Sequence, residues 1–281
     1  MDKNILIIGL NSELAQNTIE ELKKKNWNIY ATSRQIDLID ENVHEFRLDV
    51  ASEMDFIHLK EKIKNLKFDV ILNFAGIAIA GAVEELNELE LKKQFEVNYF
   101  GLLRIIKYLA PNLNKDGRLI NISSMASYGI FPFLSPYCSS KAAADILLNS
   151  YSIENNTKVV SIRPGAVATK FWEASIENNK NTFESKNEKF KKEKDFLVEN
   201  ANKNSLHATN PIYVAKKIAQ IVELKNPKPV YNIGIDAKFT KNYVDVTANT
   251  PVMIGFDTAV TTTVQELQSR IVVNTVWSIG R

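Results

Sequence analysis

The chain has 281 residues, enough for a sizeable core, and this length favours one large domain over two small ones. Its 35 basic and 33 acidic residues give a net charge of +2, which is too even for a dedicated nucleic-acid-binding protein. The single cysteine, Cys138, excludes a disulfide within this sequence and a cysteine-built metal site, and it favours a reducing, cytoplasmic setting. The histidines are scattered, so no metal site is predicted. No run of about 18 consecutive apolar residues occurs, so no membrane span is predicted either.

Short apolar runs alternate with longer helical patterns along most of the chain. Such alternation with short connections is typical of βαβ units, and continuously apolar runs are typical of parallel strands buried on both faces. The sequence therefore predicts an α/β fold, a Rossmann-like doubly wound parallel sheet of about seven strands with helices on both faces. The predicted strands are 5–8, 28–32, 45–48, 70–74, 118–122, 158–162 and 230–235, and the predicted helices are 12–25, 53–65, 88–109, 136–154 and 211–224.

Two segments break this alternation. Residues 172–208 are rich in Lys, Glu and Asn, and their apolar residues recur every seven positions, at Ile176, Phe183, Phe190 and Leu197. This spacing predicts an amphipathic helix packed on the body of the protein. A lid over a pocket is a compatible interpretation of the same segment. The tail, 237–281, is rich in β-branched residues and threonine, which favours additional strands but carries no recognisable chemistry.

The turn after the first predicted strand reads GLNSELA, residues 9–15. In open α/β sheets this turn binds the pyrophosphate of a dinucleotide, because N–H groups at a helix N-terminus face the anion. The spacing G-x-x-x-G-x-G is matched, except that Glu13 and Ala15 replace the second and third glycines. Ala15 still permits close packing of the helix on the strand, and we expect Glu13 to point to solvent. An ordinary tight turn is the alternative.

The end of the second predicted strand indicates which dinucleotide would bind. It reads ATSRQ and lacks the carboxylate that NAD-binding folds usually place there for the ribose hydroxyls. Ser33 and Arg34 stand there instead, and a hydroxyl with a guanidinium suits a ribose 2′-phosphate. We therefore predict NADP(H) as the preferred cofactor, with NAD(H) as an option because Asp37 could turn back to the ribose. The alternative is that Arg34 is a plain surface residue.

Five further motifs are specific in combination. They are LDV (48–50), NFAG (73–76), FEVNYFG (95–101), NISS (121–124) followed by Y-x-x-x-K (137–141), and RPGAVAT (163–169). With these motifs in this order and at this spacing, the chain resembles the short-chain dehydrogenase/reductase family in its single-domain form. The resemblance runs from about residue 3 to residue 238.

The resemblance implies a catalytic tetrad of Asn98, Ser124, Tyr137 and Lys141. A free tyrosine has a pKa of about 10, and an adjacent ammonium lowers that pKa by favouring the phenolate. Tyr137 would therefore exchange a proton with a carbonyl or alcohol oxygen, and Ser124 would donate a hydrogen bond to the same oxygen. By resemblance, Lys141 holds the nicotinamide ribose and Asn98 holds a water that links Lys141 to solvent. The alternative for the tyrosine and lysine is an exposed pair on a helix surface.

The resemblance also implies cofactor and substrate contacts. Segments 131–141 and 227–238 resemble the steroid and retinoid dehydrogenase branch, which suggests an apolar ketone or secondary alcohol in a pocket with apolar walls. The predicted cofactor contacts are Gly9, Asn11, Ser12, Glu13, Leu14, Ser33, Arg34, Asp49, Val50, Asn73, Ala75, Gly76, Tyr137, Lys141, Pro164, Gly165, Val167 and Thr169, and the predicted substrate-pocket residues are Met125, Ala126, Phe131, Phe171 and Trp172.

Two other functions stay open. One is a reductase of carrier-bound 3-oxoacyl groups, and the other is a non-catalytic NADP(H)-binding sensor or assembly protein, which the depleted glycine turn allows. We expect a small-molecule substrate and, by resemblance, a homodimer or homotetramer paired through the helices 88–109 and 136–154. The resemblance divides the chain into an NADP(H)-binding catalytic domain, 1–236 with the lid candidate inside it, and a tail of unknown role, 237–281.

Overall fold

One parallel sheet carries the candidate residues. The computed structural model describes residues 3–36, 41–131, 133–178, 188–192, 195 and 208–238. Within those ranges, seven strands form a single sheet in the order β3-β2-β1-β4-β5-β6-β7, and every neighbouring pair is parallel. The strands are β1 (Lys3–Ile8), β2 (Trp27–Ser33), β3 (Val43–Arg47), β4 (Phe68–Asn73), β5 (Leu113–Ile122), β6 (Lys158–Pro164) and β7 (Val230–Ile233).

Helices cover both faces of this sheet. Short 3₁₀ turns supplement them at Ala110–Asn112, Met125–Ser127 and Glu188–Phe190. The α-helices are α1 (Glu13–Lys23), α2 (Glu53–Lys62), α3 (Glu88–Phe95), α4 (Gly101–Arg104), α5 (Ser135–Asn155), α6 (Phe171–Asn178) and α7 (Pro211–Glu223).

Strand β1 sits between two separate hydrophobic clusters. Ile5 and Ile7 pack with α1 and α7 on one face, whereas Leu6 and Ile8 pack with α2, α4 and α5 on the other. All four side chains are fully buried, and each contributes about 1.5–3 kcal/mol of hydrophobic stabilisation. The continuously apolar run Ile5–Ile8 is therefore explained by helices on both sides of the strand. The predicted α/β fold is confirmed.

The strand order creates a crevice beside β1. The chain adds β2 and β3 on one side of β1 and then β4 to β7 on the other, so β1 and β4 are neighbours at a switch point. In open α/β sheets, ligands bind outside the C-terminal ends of the strands at such a point. Gly9 and Phe74 follow these two strands directly, which places both predicted cofactor segments at the mouth of the crevice.

The predicted helix 88–109 is not one regular α-helix. Its start is fixed by Asn87, whose side chain accepts from Glu90 N while Glu90 Oε2 accepts from Asn87 N, a reciprocal cap. Two π-helical turns, Glu96–Phe100 and Ile105–Leu109, flank α4. Such turns are rare and frequent at functional sites, and the first of them contains Asn98. The apolar periodicity of the sequence does not reveal them.

Other predicted elements overlap the observed ones, with one clear correction at the last strand. It ends at Ile233 and not at residue 235, because Gly234 adopts a φ of 108° that turns the chain away from the sheet. Of the predicted stripe in 172–208, Phe183, Leu197 and the side chain of Ile176 lie outside the described residues, as does the tail beyond residue 238. Among the described helices, none has the length and apolar character needed to cross a membrane.

Candidate active site

The turn after β1 is pressed against the end of β4. Gly9 has a φ of 91°, and a Cβ added there would lie 3.0 Å from Ala75 N. Phe74 N donates to Ile8 O at 2.8 Å, which keeps the two strand ends together. Only glycine satisfies both the backbone angle and this close approach. The first glycine of the predicted cofactor turn is therefore required by the geometry of this chain.

The two glycine replacements in this turn behave as the sequence suggested. Ala15 is fully buried in the cluster between β1 and α1, so a small side chain is sufficient for close packing. Glu13 is the first residue of α1 and is exposed, as are Asn11 and the edge of the turn. Ser12 caps α1 with an extended backbone and makes no capping hydrogen bond through its side chain. The first N–H groups of α1 therefore face outward at the crevice.

The end of β2 carries the predicted ribose-phosphate contacts. Ser33 is buried, and its hydroxyl donates to the carbonyl oxygen of Gln35. Arg34 is exposed directly beside it, and Asp37 lies outside the described residues. Ser33 is thus engaged in holding the turn, and Arg34 is the residue whose side chain reaches solvent. At the end of β3, Asp49 is half-buried and its carboxylate accepts from Ala51 N at 2.9 Å.

A ladder of asparagines shapes the turn after β4. Asn73 Nδ2 donates to Asn121 Oδ1 at 2.8 Å across the β4–β5 pair, and both side chains are buried. Asn73 Oδ1 accepts from Ala75 N at 3.0 Å, which fixes the turn that faces Gly9. Asn121 was quoted within a motif, but the sequence assigned it no role.

Asn98 joins three parts of the site. Its Oδ1 accepts from Ile77 N, and its Nδ2 donates to Ile77 O and to Ser140 Oγ, each at 2.9 Å. A Cβ added at Gly76 would lie 3.1 Å from Lys141 Nζ and 3.4 Å from Asn98 Oδ1. The Asn98 amide and the Lys141 ammonium therefore both lie close to the Gly76 backbone, where an added methyl group would be in tight contact with them.

Tyr137 and Lys141 lie one turn apart on α5 and are buried. Their exposed fractions are 5% and 6%, which excludes the alternative of an exposed surface pair. Lys141 Nζ lies 5.8 Å from the centre of the Tyr137 ring and donates to Ile122 O at 3.1 Å. Ser124, at the C-terminal end of β5, is hydrogen-bonded to the Tyr137 side chain. The predicted serine, tyrosine and lysine therefore meet at one point.

Burial is the main cause of the pKa shifts of Tyr137 and Lys141. It raises the pKa of Tyr137 well above its usual range, and the hydrogen bond from Ser124 opposes the rise. Burial also lowers the pKa of Lys141 to about 8, and the nearby Asp145 carboxylate opposes that change. The sequence predicted a lowered pKa for Tyr137, and the structure instead raises it, because burial away from solvent is the largest cause of the shift. At neutral pH the phenol is protonated and the amine is mostly charged.

A buried ion pair lies one turn further along α5. Asp145 Oδ2 accepts from Arg163 Nε at 2.8 Å and from a second guanidinium nitrogen at 2.7 Å, while Ser161 Oγ donates to Asp145 Oδ1 at 2.5 Å. The guanidinium carbon of Arg163 lies 3.9 Å from the centre of the Tyr128 ring. This network connects the lysine helix, the end of β6 and the loop after Ser124.

Apolar side chains surround the Tyr137 ring. Phe171, at the start of α6, packs on it with 6.0 Å between ring centres. Cys138 is part of the same cluster, and burial raises the pKa of its thiol, as expected for a packing residue. The side chain of Trp172 lies outside the described residues. The cluster consists of Ala78, Ala80, Ala126, Phe131, Leu134, Tyr137 and Cys138, with Met125 and Phe171 packed against it.

A model of the short chain dehydrogenase family matches residues 3–181, well over half of the chain. The chain belongs to this family. Strands β1 to β6, the turn at Gly9 and the buried Ser124–Tyr137–Lys141 group lie within the matched region. The predicted family and its classification as a dehydrogenase/reductase are confirmed.

Several characterised relatives of this short-chain dehydrogenase are similar over long stretches. The 3-amino-tetrahydro-pyrrolizinone reductase of Xenorhabdus hominickii is 26% identical over 273 residues, 91% of this chain and 95% of the relative. The 3-ketodihydrosphingosine reductase of Bacteroides thetaiotaomicron is 28% identical over 238 residues, 79% of this chain and 84% of the relative. Mouse 17-beta-hydroxysteroid dehydrogenase 13 is 28% identical over 156 residues, 50% and 51% of the two chains, in support of the predicted branch.

A solved structure with the same fold is the alcohol dehydrogenase of the archaeon Thermococcus sibiricus, crystallised with 5-hydroxy-NADP. Its TM-score is 0.67 at 22% identity, over 83% of this chain and 96% of the solved one. At this level of identity the likeness establishes the fold. The seven-stranded doubly wound sheet of this short-chain dehydrogenase therefore has the same fold as that solved structure.

The structure of this short-chain dehydrogenase brings most of the predicted residues to one edge of the sheet. Pro164 ends β6, and the backbone through Thr169 follows the C-terminal end of this strand, where Gly165 N donates to Ile233 O at 2.9 Å. Sequence reasoning missed Asp145, Arg163 and Asn121. A signal for Asp145 was present, since it follows Lys141 by four residues on the same helix.

Proposed function

We propose that this short-chain dehydrogenase interconverts a ketone and a secondary alcohol with NADP(H), using Tyr137 as general acid/base. The observation that carries the proposal is the buried meeting of Ser124, Tyr137 and Lys141 beside the switch-point crevice. A hydroxyl donor, a protonated phenol and an ammonium converge there, and each would stabilise negative charge on a reacting oxygen. The catalytic domain is proposed to comprise residues 1–236.

The residues at the crevice fit a nicotinamide dinucleotide. Gly9 leaves no side chain between the turn and Ala75, and the outward N–H groups of α1 suit a pyrophosphate. Arg34 is exposed at the end of β2, where a 2′-phosphate would lie. Glu13 carries a charge of the wrong sign for a phosphate, and its exposed side chain can turn away from the site. When bound, the cofactor supplies or accepts the hydride.

The side chains of this chain would handle the proton and the oxygen. Ser124 and Tyr137 would both donate hydrogen bonds to the substrate oxygen, and Tyr137 would deliver its proton as charge develops there. Burial raises the pKa of Tyr137, so its hydroxyl carries the proton that a general acid delivers in carbonyl reduction. Lys141 would stabilise the phenolate left behind, and Asn98 would orient Lys141 through the shared contact at Gly76.

An apolar substrate is supported by the walls of the site. Phe131, Phe171 and Met125 lie in the cluster around Tyr137. An open groove of about 450 Å³ is lined by Ala82, Val83, Phe133 and Phe190 together with the carboxylate-bearing Glu84, and Phe190 packs on Phe133 with 5.8 Å between ring centres. The relative from Bacteroides thetaiotaomicron is named a 3-ketodihydrosphingosine reductase, which supports a lipid-like ketone as the substrate.

A homodimer or homotetramer remains part of the proposal. The helices predicted to pair expose several large apolar side chains to solvent, and such residues usually mark a contact surface when they are contiguous. They are Phe100, Leu103, Ile146 and Ile153, with exposed fractions of 41%, 37%, 67% and 85%.

A screen of ketones and alcohols tests the proposed activity. We expect NADPH oxidation with apolar ketones, such as steroid, retinoid or long-chain 3-oxo compounds, followed by absorbance with NADH in parallel. Carrier-linked 3-oxoacyl substrates belong in the same screen, because preference for them would favour the alternative reductase. Cofactor binding without turnover of any substrate would favour the non-catalytic sensor and contradict the proposal.

Cofactor choice depends on Arg34 in this proposal. We expect Arg34→Leu to raise the Kd for NADPH by about tenfold to a hundredfold, because a guanidinium–phosphate contact is lost. The Kd for NADH should be nearly unchanged. Fluorescence titration of both cofactors measures the effect, with Lys64→Leu as a control that removes an exposed positive charge from the far end of α2. Equal weakening of both cofactors by Arg34→Leu would show that the residue does not select a phosphate.

A further inference from the structure

Three separate stretches of chain meet just after the end of β6. Gly165 N donates to Ile233 O at 2.9 Å, so β7 holds the first residue of the segment. Thr209, where the chain returns from residues 172–208, donates through its N to Ala166 O at 2.8 Å and accepts from Ala168 N at 3.1 Å. The third contact comes from Asp236, whose Oδ2 accepts from Ala166 N at 2.6 Å.

Asp236 occupies the space above Gly165. A Cβ added at Gly165 would overlap the Asp236 carboxylate, so glycine is required there as long as Asp236 is present. Gly234 is constrained in the same way, because it has a φ of 108° and an added Cβ would lie 2.5 Å from Asp236 Oδ1. Asp236 Oδ1 also accepts from Ala237 N at 2.9 Å, which fixes the direction of the carboxylate. The two glycines and the aspartate therefore form one interlocked unit.

The contact to Ala166 is the strong part of this unit. A hydrogen bond from a backbone N–H to a carboxylate is about twice as strong as one between neutral groups. Residues 165 and 166 lie outside β6, so Ala166 N has no sheet partner, and the carboxylate supplies it. Without the carboxylate, Ala166 N would lose its partner, which carries a cost in free energy and weakens the hold on the Gly165–Ala166 backbone.

We propose that Asp236 is a positioning residue that holds the Gly165–Ala166 backbone, which contains the predicted cofactor contact Gly165, in the conformation that receives the cofactor. It acts through the backbone and does not touch the reacting atoms. This inference rests on the proposed use of a nicotinamide cofactor. It gives residues 234–238 a role in the catalytic domain, at the point where the sequence placed the boundary with the tail.

A double-mutant cycle on cofactor binding tests this role. We expect Asp236→Ala to raise the Kd for NADPH about tenfold, because the charge-assisted hydrogen bond from Ala166 N to the carboxylate is lost. We expect Gly165→Ala to raise the Kd for NADPH further, since the added methyl group meets the Asp236 carboxylate. The double variant Gly165→Ala/Asp236→Ala should bind better than Gly165→Ala alone, because the new methyl group fills the vacated space. Fluorescence titration gives each Kd, and thermal unfolding gives the midpoint temperature of each variant.

Two further variants keep the outcome clear. Asp236→Asn retains an acceptor oxygen without the charge, so we expect a Kd between those of the wild type and Asp236→Ala. Asp116→Ala is the matched control, because Asp116 is an aspartate with an 89% exposed side chain on β5, far from the crevice, and its removal should leave the Kd unchanged.

The results separate this inference from the proposed function. Binding by the wild type, together with an unchanged Kd in Asp236→Asn and Asp236→Ala, overturns the positioning role alone. The same holds if Asp236 variants lower only the unfolding temperature, or if Gly165→Ala weakens binding equally with and without Asp236. Failure of the wild type to bind either nicotinamide cofactor contradicts the proposed function and this inference together.

Discussion

Replacing Tyr137 with phenylalanine is expected to lower kcat by at least about a hundredfold, the lower end of what a positioned general acid contributes. The Tyr137 ring is 5% exposed and packs against Phe171, so a phenylalanine ring fits the same space. The change therefore removes the hydroxyl that is hydrogen-bonded with Ser124 and little else. The Kd for NADPH should be nearly unchanged, because the predicted phosphate contacts lie at Gly9, Ser12 and Arg34.

Steady-state turnover on a ketone from the screen, together with NADPH titration by fluorescence, measures both quantities. Tyr151→Phe is the matched control, because Tyr151 lies on the same helix and is partly buried against the core, away from the site. We expect that variant to keep its activity. Full activity in Tyr137→Phe would rule out Tyr137 as the proton donor, whereas loss of NADPH binding would indicate a disturbed fold.

The fold and the catalytic residues could be predicted because their signals are local. Continuously apolar strands between helices indicate a sheet covered on both faces, and the clusters on either side of β1 agree. Tyr137 and Lys141 are four residues apart, so any helix brings their side chains to one face. Ser124 follows a strand directly, and parallel strands place their C-terminal ends at one edge.

The electrostatics of the site could not be predicted from the same spacing. The pKa of Tyr137 depends on how much solvent Phe171 and the loop after Ser124 exclude, and those contacts come from distant parts of the chain. A tyrosine beside a lysine has a lowered pKa in water and a raised one when burial dominates. The sequence contains the pair but not the depth at which it is buried.

Long-range polar contacts were missed for a related reason. Asp145 and Arg163 are 18 residues apart, and Ala166 and Asp236 are 70 residues apart. Each pair depends on the register of β6 against a helix or a neighbouring strand, which hydrophobic patterns do not specify. The π-helical turn at Asn98 was missed because one extra residue in a helical turn leaves the local composition unchanged.

Replacing Lys141 with methionine is expected to stabilise the cofactor-free protein at neutral pH while it removes activity. Burial lowers the pKa of Lys141 to about 8 in the folded protein, against 10.5 for an unperturbed lysine. The unfolded chain therefore binds this proton more tightly than the folded chain does, and between these two pH values stability rises with pH. Below pH 8 the folded state carries the full unfavourable effect of the buried charge, which corresponds to up to about 3 kcal/mol.

Methionine has a similar length and no charge, so the variant should lose this unfavourable effect. We expect its free energy of unfolding to exceed that of the wild type at pH 7 and the difference to shrink as the pH rises toward 10.5. Denaturant unfolding of both proteins at several pH values measures the difference. Lys64→Met is the control, because that lysine has a 63% exposed side chain and should show no such trend.

The change of this difference with pH is the decisive quantity. Loss of the hydrogen bond from Lys141 Nζ to Ile122 O lowers the stability of the variant by a similar amount at every pH, so it shifts the whole curve without changing its slope. A slope therefore reports the buried charge alone. A variant whose stability differs from the wild type by the same amount at pH 7 and pH 10 would contradict the low pKa of Lys141. A difference that shrinks as the pH rises would mean that the site holds its lysine charged at a cost in stability, which is the expected signature of a residue kept for catalysis.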